Sequence, residues 1–145
     1  MSGDIVLEAA MQNRESVIGI IGVDNFKNYA HLETAEAKKD FAGAINEMRH
    51  HFKTVAFQFF NQALFSKTTS PAIKHRILND VANTDSVAAT NCMGYDGFNE
   101  KQRLKQYNRK LYLINSDYTP TDTTGFIKNK IQYDVKYIHG TGHFR

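Results

Sequence analysis

The sequence predicts an α+β protein, mainly α: a helical bundle around one long helix at about 34–65, closed by a C-terminal β-hairpin and an extended tail. Three observations carry that expectation. Apolar residues recur at alternating spacings of four and three through Phe41, Ile45, Met48, Phe52, Val55 and Phe59, the signature of one continuous helical seam. From Ile131 to Tyr137 the period changes to two, with Gln132, Asp134 and Lys136 between apolar or aromatic neighbours, as on a half-exposed strand. The basic and the tyrosine residues are concentrated in the second half.

The elements follow in order. Ser2 or Asp4 caps a short helix to about Asn13, with Ile5, Val6, Ala9, Ala10 and Met11 on its inner face. Val17 to Val23 is an apolar run holding Gly19 and Gly22, too short for periodicity to choose between strand and helix. Asp24 to Glu33 reads as a connection. Thr34 then caps the long helix, with Glu33 and Glu36 at the positive end of its dipole. Toward Leu64 the seam widens as Ala56, Phe57, Phe60 and Ala63 join it, so the last turns require partners on several sides.

Ser70 followed by Pro71 starts the next helix, whose apolar face is Ile73, Ile77 and Val81. A short helix around Val87 to Met93 ends at Gly94, and Asn99 caps another to about Asn108. Leu111 to Ile114 and Ile131 to Tyr137 are then paired as an antiparallel hairpin across the loop Ser116 to Gly125. The whole reads as a single domain over 1–145, a helical body at 1–108 and a hairpin arm with its tail at 109–145. The tail of Gly140, Thr141, Gly142, His143 and Phe144 has little to pack on by itself, and a neighbouring subunit is expected to hold it.

At 145 residues, 41% hydrophobic and 23% charged, the chain has the makeup of an ordinary globular domain, not of a disordered one. The lone Cys92 cannot close a disulfide within the chain, which fits a reducing compartment and a small buried side chain. No run approaches the length of a membrane span, and Asp4 and Glu8 stand where a secretory signal would be basic and then apolar. A cytoplasmic or virion location follows as the expectation. The net charge of +3 divides unevenly: residues 1–66 carry six basic against eight acidic side chains, and residues 67–145 twelve against seven. Six of the seven tyrosines also lie beyond residue 66, so the second half reads as the contacting surface.

Candidate chemistry is sparse. Asp122 followed by Asp134, Val135 and Lys136 resembles the acid and acid-x-lysine pattern of restriction-endonuclease-type nucleases, where two carboxylates hold a divalent metal and lysine steadies the attacking water. That core continues with a helix and a strand, and only nine residues follow Lys136, so a solvent-facing strand is the simpler account. Val17 to Gly22 superficially resembles the glycine loop of KH domains. Ile20 and Ile21 stand where that loop is polar or basic, and the third glycine of a dinucleotide fingerprint is absent. His139 and His143 are separated by two glycines that disfavour a helix, and His50 and His51 point apart. No metal, no cofactor and no catalytic residue is therefore assigned.

The function expected on these grounds is that of a structural subunit of a larger assembly, such as a phage head-to-tail connector or adaptor, and not an enzyme. It would associate with further copies of itself and with other structural proteins. Phe57, Phe60, Leu64, Tyr112, Tyr133, Tyr137 and Phe144 are its expected subunit interface. The alternative is a nucleic-acid-binding accessory protein using the basic face Lys101, Arg103, Lys105, Arg109 and Lys110. A metal-dependent nuclease is third.

Overall fold

The computed structural model describes residues 2–27, 34–95 and 97–144. Tyr29, Glu33, Arg145 and the later part of the 24–33 connection lie outside them. In chain order the elements are α1 (Ser2–Gln12), β1 (Ile20–Val23), α2 (Ala35–Phe59), a π-helical turn at Phe60–Leu64, α3 (Pro71–Ala82), α4 (Ser86–Met93), α5 (Glu100–Tyr107), β2 (Leu111–Ser116), α6 (Thr124–Lys128) and β3 (Tyr133–Ile138). The chain divides into two compact units, Met1–Ala30 with Asp96–His139, and His31–Tyr95 with Gly140–Arg145. The segment 109–145 is thus shared between them.

The first unit is built on a three-stranded sheet of order β1-β2-β3 in which both pairings are parallel. This overturns the expected hairpin. Parallel neighbours need a crossover of a dozen or more residues, and residues 117–132 supply one. The expected loop Ser116 to Gly125 runs at its end into α6, whose Phe126 is wholly buried and meets the Tyr133 ring at 5.1 Å. The apolar run at 17–23 ends in strand β1, whose Gly22 packs so tightly against β2 that an added Cβ would sit 2.9 Å from Leu113.

One face of the sheet forms the core. Ile20, Leu111 and Leu113 point inward onto Leu7 and Ala10 of α1, Leu104 and Tyr107 of α5, and Phe126. The inner side of α1 is Gly3, Leu7 and Ala10, spaced four and three apart, whereas Ile5 and Val6, expected inside, are exposed.

The second unit is helical. Thr34 caps α2 by accepting from the Ala37 N–H at 3.0 Å, and Ser70 caps α3 by accepting from the Ile73 N–H at 3.3 Å. The long helix is not uniform: it kinks at His51, where φ is −133°, and its last turn is π-helical. Only Ile45, Met48 and Ala56 of α2 are fully buried, and Phe59 is exposed. The tail belongs to this unit and is held by its own chain. Phe144 stacks on Phe60 at 10° and meets Phe65 at 5.7 Å, and the His143 N–H donates to the Leu64 carbonyl at 2.9 Å. Cys92 is exposed, contrary to the expectation of a buried one.

Candidate active site

Parallel strands end on the same side of their sheet, and the loops leaving those carboxyl ends are where α/β proteins place ligand-binding groups. Here β1 runs directly into Asp24 and β2 ends on Asn115 and Ser116. The Asp24 N–H still donates to the Ile114 carbonyl at 2.9 Å, which brings the two strand ends together.

The next residues turn sharply. Asp24 and Phe26 both adopt positive φ, 48° and 53°. Aspartate tolerates that region, but a phenylalanine enters it only when its surroundings compel it. Burial of the Phe26 ring in the first unit's core, 5% exposed, supplies the compulsion. The result is a bend that turns Asp24 and Lys27 toward Ser116.

The three side chains form a closed triangle. Ser116 donates its backbone N–H and its hydroxyl to Asp24 Oδ1, at 2.8 and 2.9 Å. Lys27 Nζ forms an ion pair with the same oxygen and donates to Ser116 Oγ at 2.8 Å and to the Ser116 carbonyl at 3.2 Å. The Asp24 and Lys27 side chains are each 13% exposed, so this charge pair is largely withdrawn from water, where charge–charge attraction is strengthened.

A polar scaffold fixes the triangle. Asn115, fully buried, accepts from the Asn25 N–H at 3.1 Å and donates to the Asn25 carbonyl at 3.1 Å and to Thr121 Oγ1 at 2.8 Å. The Thr121 N–H donates to the Tyr137 hydroxyl at 3.3 Å, and the Asp122 N–H to the Lys27 carbonyl at 2.8 Å. Buried polar groups satisfied in this way specify one geometry.

The residues singled out from sequence lie elsewhere. Asp134 and Lys136 sit on the outer face of β3, where Asp134 pairs with Lys110 at 3.5 Å. Asp122 precedes α6 and accepts from the N–H and hydroxyl of Thr124, which hold its carboxyl below the usual range. Among the described residues no three His, Cys, Asp or Glu side chains come together to hold a metal. The basic face is largely spent on local contacts: Arg103 pairs with Glu8 at 3.1 Å, and Arg109 donates to the Val17 and Arg14 carbonyls. Of the expected interface, Tyr133 packs in the core, Tyr137 supports the scaffold, Phe60 and Phe144 stack on each other, and Tyr112 is exposed.

Sequence reasoning missed Asp24, Lys27 and Ser116. A signal was there: two apolar runs, 17–23 and 111–114, each pass at once into polar residues. It acquires meaning only when both runs are strands of one parallel sheet.

No family model matches the sequence, and no curated protein does. Among solved structures the chain is similar to a hydrolase from Oleispira antarctica, with a TM-score of 0.69 and 15% identity, over 98% of this chain and 55% of that one. The chain thus spans about half the length of that protein. This likeness overturns the expectation of a non-enzymatic structural subunit such as a phage connector, because the fold is shared with a protein described as a hydrolase. Among the described residues no helix is long and apolar enough to cross a membrane.

Proposed function

We propose that the first unit carries the catalytic core of a hydrolase, with Asp24 as its nucleophile. The observation that carries the reading is the convergence of the Lys27 ammonium, the Ser116 hydroxyl and the Ser116 N–H on one carboxylate oxygen at the carboxyl end of a parallel sheet. The likeness to the Oleispira hydrolase supports it.

The chemistry follows from the groups present. The Asp24 carboxylate attacks the electrophilic centre of an ester-type substrate, and the bond to the leaving group breaks with its electron pair. Water then attacks the acylated or phosphorylated aspartate, releases the acid product and restores the carboxylate. Lys27 stabilises negative charge developing beside it, and Ser116 keeps the carboxylate plane fixed.

The test is hydrolysis of chromogenic carboxylic and phosphoric esters by the wild type and by Asp24→Asn. The variant should lose at least about 1,000-fold in kcat. Acid quenching during turnover should trap the acyl or phosphoryl adduct on Asp24 for mass spectrometry, whereas general-base action leaves no adduct there. Full activity in Asp24→Asn would sink the proposal.

A further inference from the structure

Hydrolysis of an Asp24 adduct calls for a base to draw a proton from the incoming water, and the triangle holds none. Asp24 is itself tied up in the adduct, and the Lys27 ammonium has donors but no acceptor. The Ser116 hydroxyl is directed at Asp24. Two further carboxylates, Asp117 and Asp122, lie in the stretch that leaves β2. Asp122 is a weak base, because the Thr124 N–H and hydroxyl hold it as the anion. Asp117 is bonded to a better one.

Of the six histidines, His139 alone belongs to the first unit, where it directly follows β3. Its Nδ1 lies 2.8 Å from Asp117 Oδ2. An ionised carboxylate only accepts, so Nδ1 carries the hydrogen and the neutral ring keeps its lone pair on Nε2. A carboxylate in that position fixes the tautomer and steadies the positive ring formed when a proton is taken up. The His139 side chain is 80% exposed, so water reaches Nε2.

The strands carry this pair to the Asp24 site. Asp117 is the residue after Ser116, and Ile138, the residue before His139, is the register partner of Ser116. The Asp117 N–H donates to the Ile138 carbonyl at 3.4 Å, which extends the β2–β3 ladder past its last pair. Asp24 reaches across from β1, so its carboxylate lies at the end of β2, on Ser116. His139 stands one strand spacing, about 5 Å, beyond that end, and its bond to Asp117 draws the ring back toward it. A water seated between adduct and base, about 3 Å from each, spans a gap of this order.

We infer, on the reading of Asp24 as nucleophile, that His139 oriented by Asp117 is the general base that hydrolyses the Asp24 adduct. Nε2 takes one hydrogen from water while the water oxygen bonds to the acyl carbon or phosphorus. The bond from that centre to the Asp24 oxygen breaks and returns its electron pair to the carboxylate, and the proton passes from Nε2 to solvent. His139 touches the attacking water and is catalytic. Asp117 acts through the ring and is a positioning residue.

The fate of the adduct on the 145-residue chain tests this, with p-nitrophenyl acetate or p-nitrophenyl phosphate, whichever the wild type turns over. His139→Gln should form the adduct at nearly the wild-type rate and then stall. It should show a burst of about one nitrophenol per chain, a steady rate at least about 100-fold lower, and the acyl or phosphoryl mass on Asp24 after acid quenching. Asp117→Asn should slow the same second step and leave the burst. Added imidazole should restore turnover to His139→Gly, which it would not do for a merely structural defect. Undiminished turnover in His139→Gln, or a burst lost together with turnover, would overturn the assignment and leave Asp24 in its role. A wild type that hydrolyses the ester with no adduct on Asp24 would instead overturn the nucleophile reading, and this inference with it.

Discussion

Ser116 grips Asp24 twice, through its backbone N–H at 2.8 Å and through its hydroxyl at 2.9 Å, both on the same carboxylate oxygen. The two bonds differ in kind, since substitution can remove only the hydroxyl. Ser116→Ala should keep the carboxylate near its place while freeing its rotation and removing one acceptor from Lys27. We expect a loss of about 1 to 2 kcal/mol in stability, a hydrogen bond to a charged group, and a 10- to 100-fold fall in kcat with little change in KM. Ser116→Thr keeps the hydroxyl and should recover most of both, as read from steady-state kinetics and urea denaturation.

Asn115 carries the heavier structural role. Its fully buried amide satisfies both backbone groups of Asn25 and the Thr121 hydroxyl. Asn115→Leu is similar in volume but strands those groups in the interior, each costing about 1 to 3 kcal/mol. A total loss of about 3 to 4 kcal/mol should appear as a lower urea midpoint, whereas a midpoint unchanged from wild type would show the network to be dispensable.

Glu100, at the start of α5, should make stability depend on pH. Burial, and then the nearby charge of Asp4, raise its carboxyl from 4.5 to about 7. Between those two values the folded chain holds a proton that the unfolded chain has released, so stability falls as pH rises through that window. Glu100→Gln removes the dependence and should stabilise the protein at pH 8 by on the order of 2 kcal/mol. Thermal melts of both proteins at pH 5 and pH 8 measure the difference, which should nearly vanish at the lower value.

Tyr107 is 3% exposed, its hydroxyl is buried with no hydrogen-bond partner among the described residues, and burial raises its pKa. The ring fills the core while the hydroxyl costs desolvation with nothing in return. Tyr107→Phe should be neutral or stabilising by up to about 1 kcal/mol. A clear loss of stability would mean that the hydroxyl has a partner after all.

Gly142 fastens the tail. A Cβ there would lie 2.6 Å from the Leu64 carbonyl oxygen and 2.8 Å from the Ser66 nitrogen, both backbone atoms that cannot swing aside. Gly142→Ala should push the tail off and expose Phe60 and Phe65, lowering stability by about 1 to 3 kcal/mol. Faster amide exchange at His143, whose N–H is bonded to Leu64, is the local signature.

The local signals in the sequence were accurate where the physics is local. Thr34, Ser70 and Asn99 cap helices because a side-chain oxygen next to free N–H groups is sufficient cause, and the alternation near Tyr133 marks a strand whatever lies beside it. Pairing was not legible. Whether β3 runs parallel or antiparallel to β2 depends on whether residues 117–132 cross over, and that rests on Phe126 finding a pocket made largely of residues far away in sequence. The same holds for the site: Asp24 and Ser116 are neighbours only because strands at opposite ends of the sequence adjoin. The basic face misled for the converse reason, since Arg109 is attractive to phosphate in a list of residues and is already committed to two carbonyls in the fold.

The juxtaposition of Asn25 with Asn115, ninety positions apart, bears on how the protein assembles in time. Closing a loop of that length costs only a few tenths of a kcal/mol more than closing one of sixty, because the penalty grows with the logarithm of length. Its rate is another matter, since contacts so distant in sequence slow the search. During synthesis β1 leaves the ribosome with an unpaired apolar strand and waits for β2 while the whole helical unit emerges. The triangle of Asp24, Lys27 and Ser116 therefore closes late, and nascent chains halted before residue 111 should be inactive and sticky however well their helices have formed.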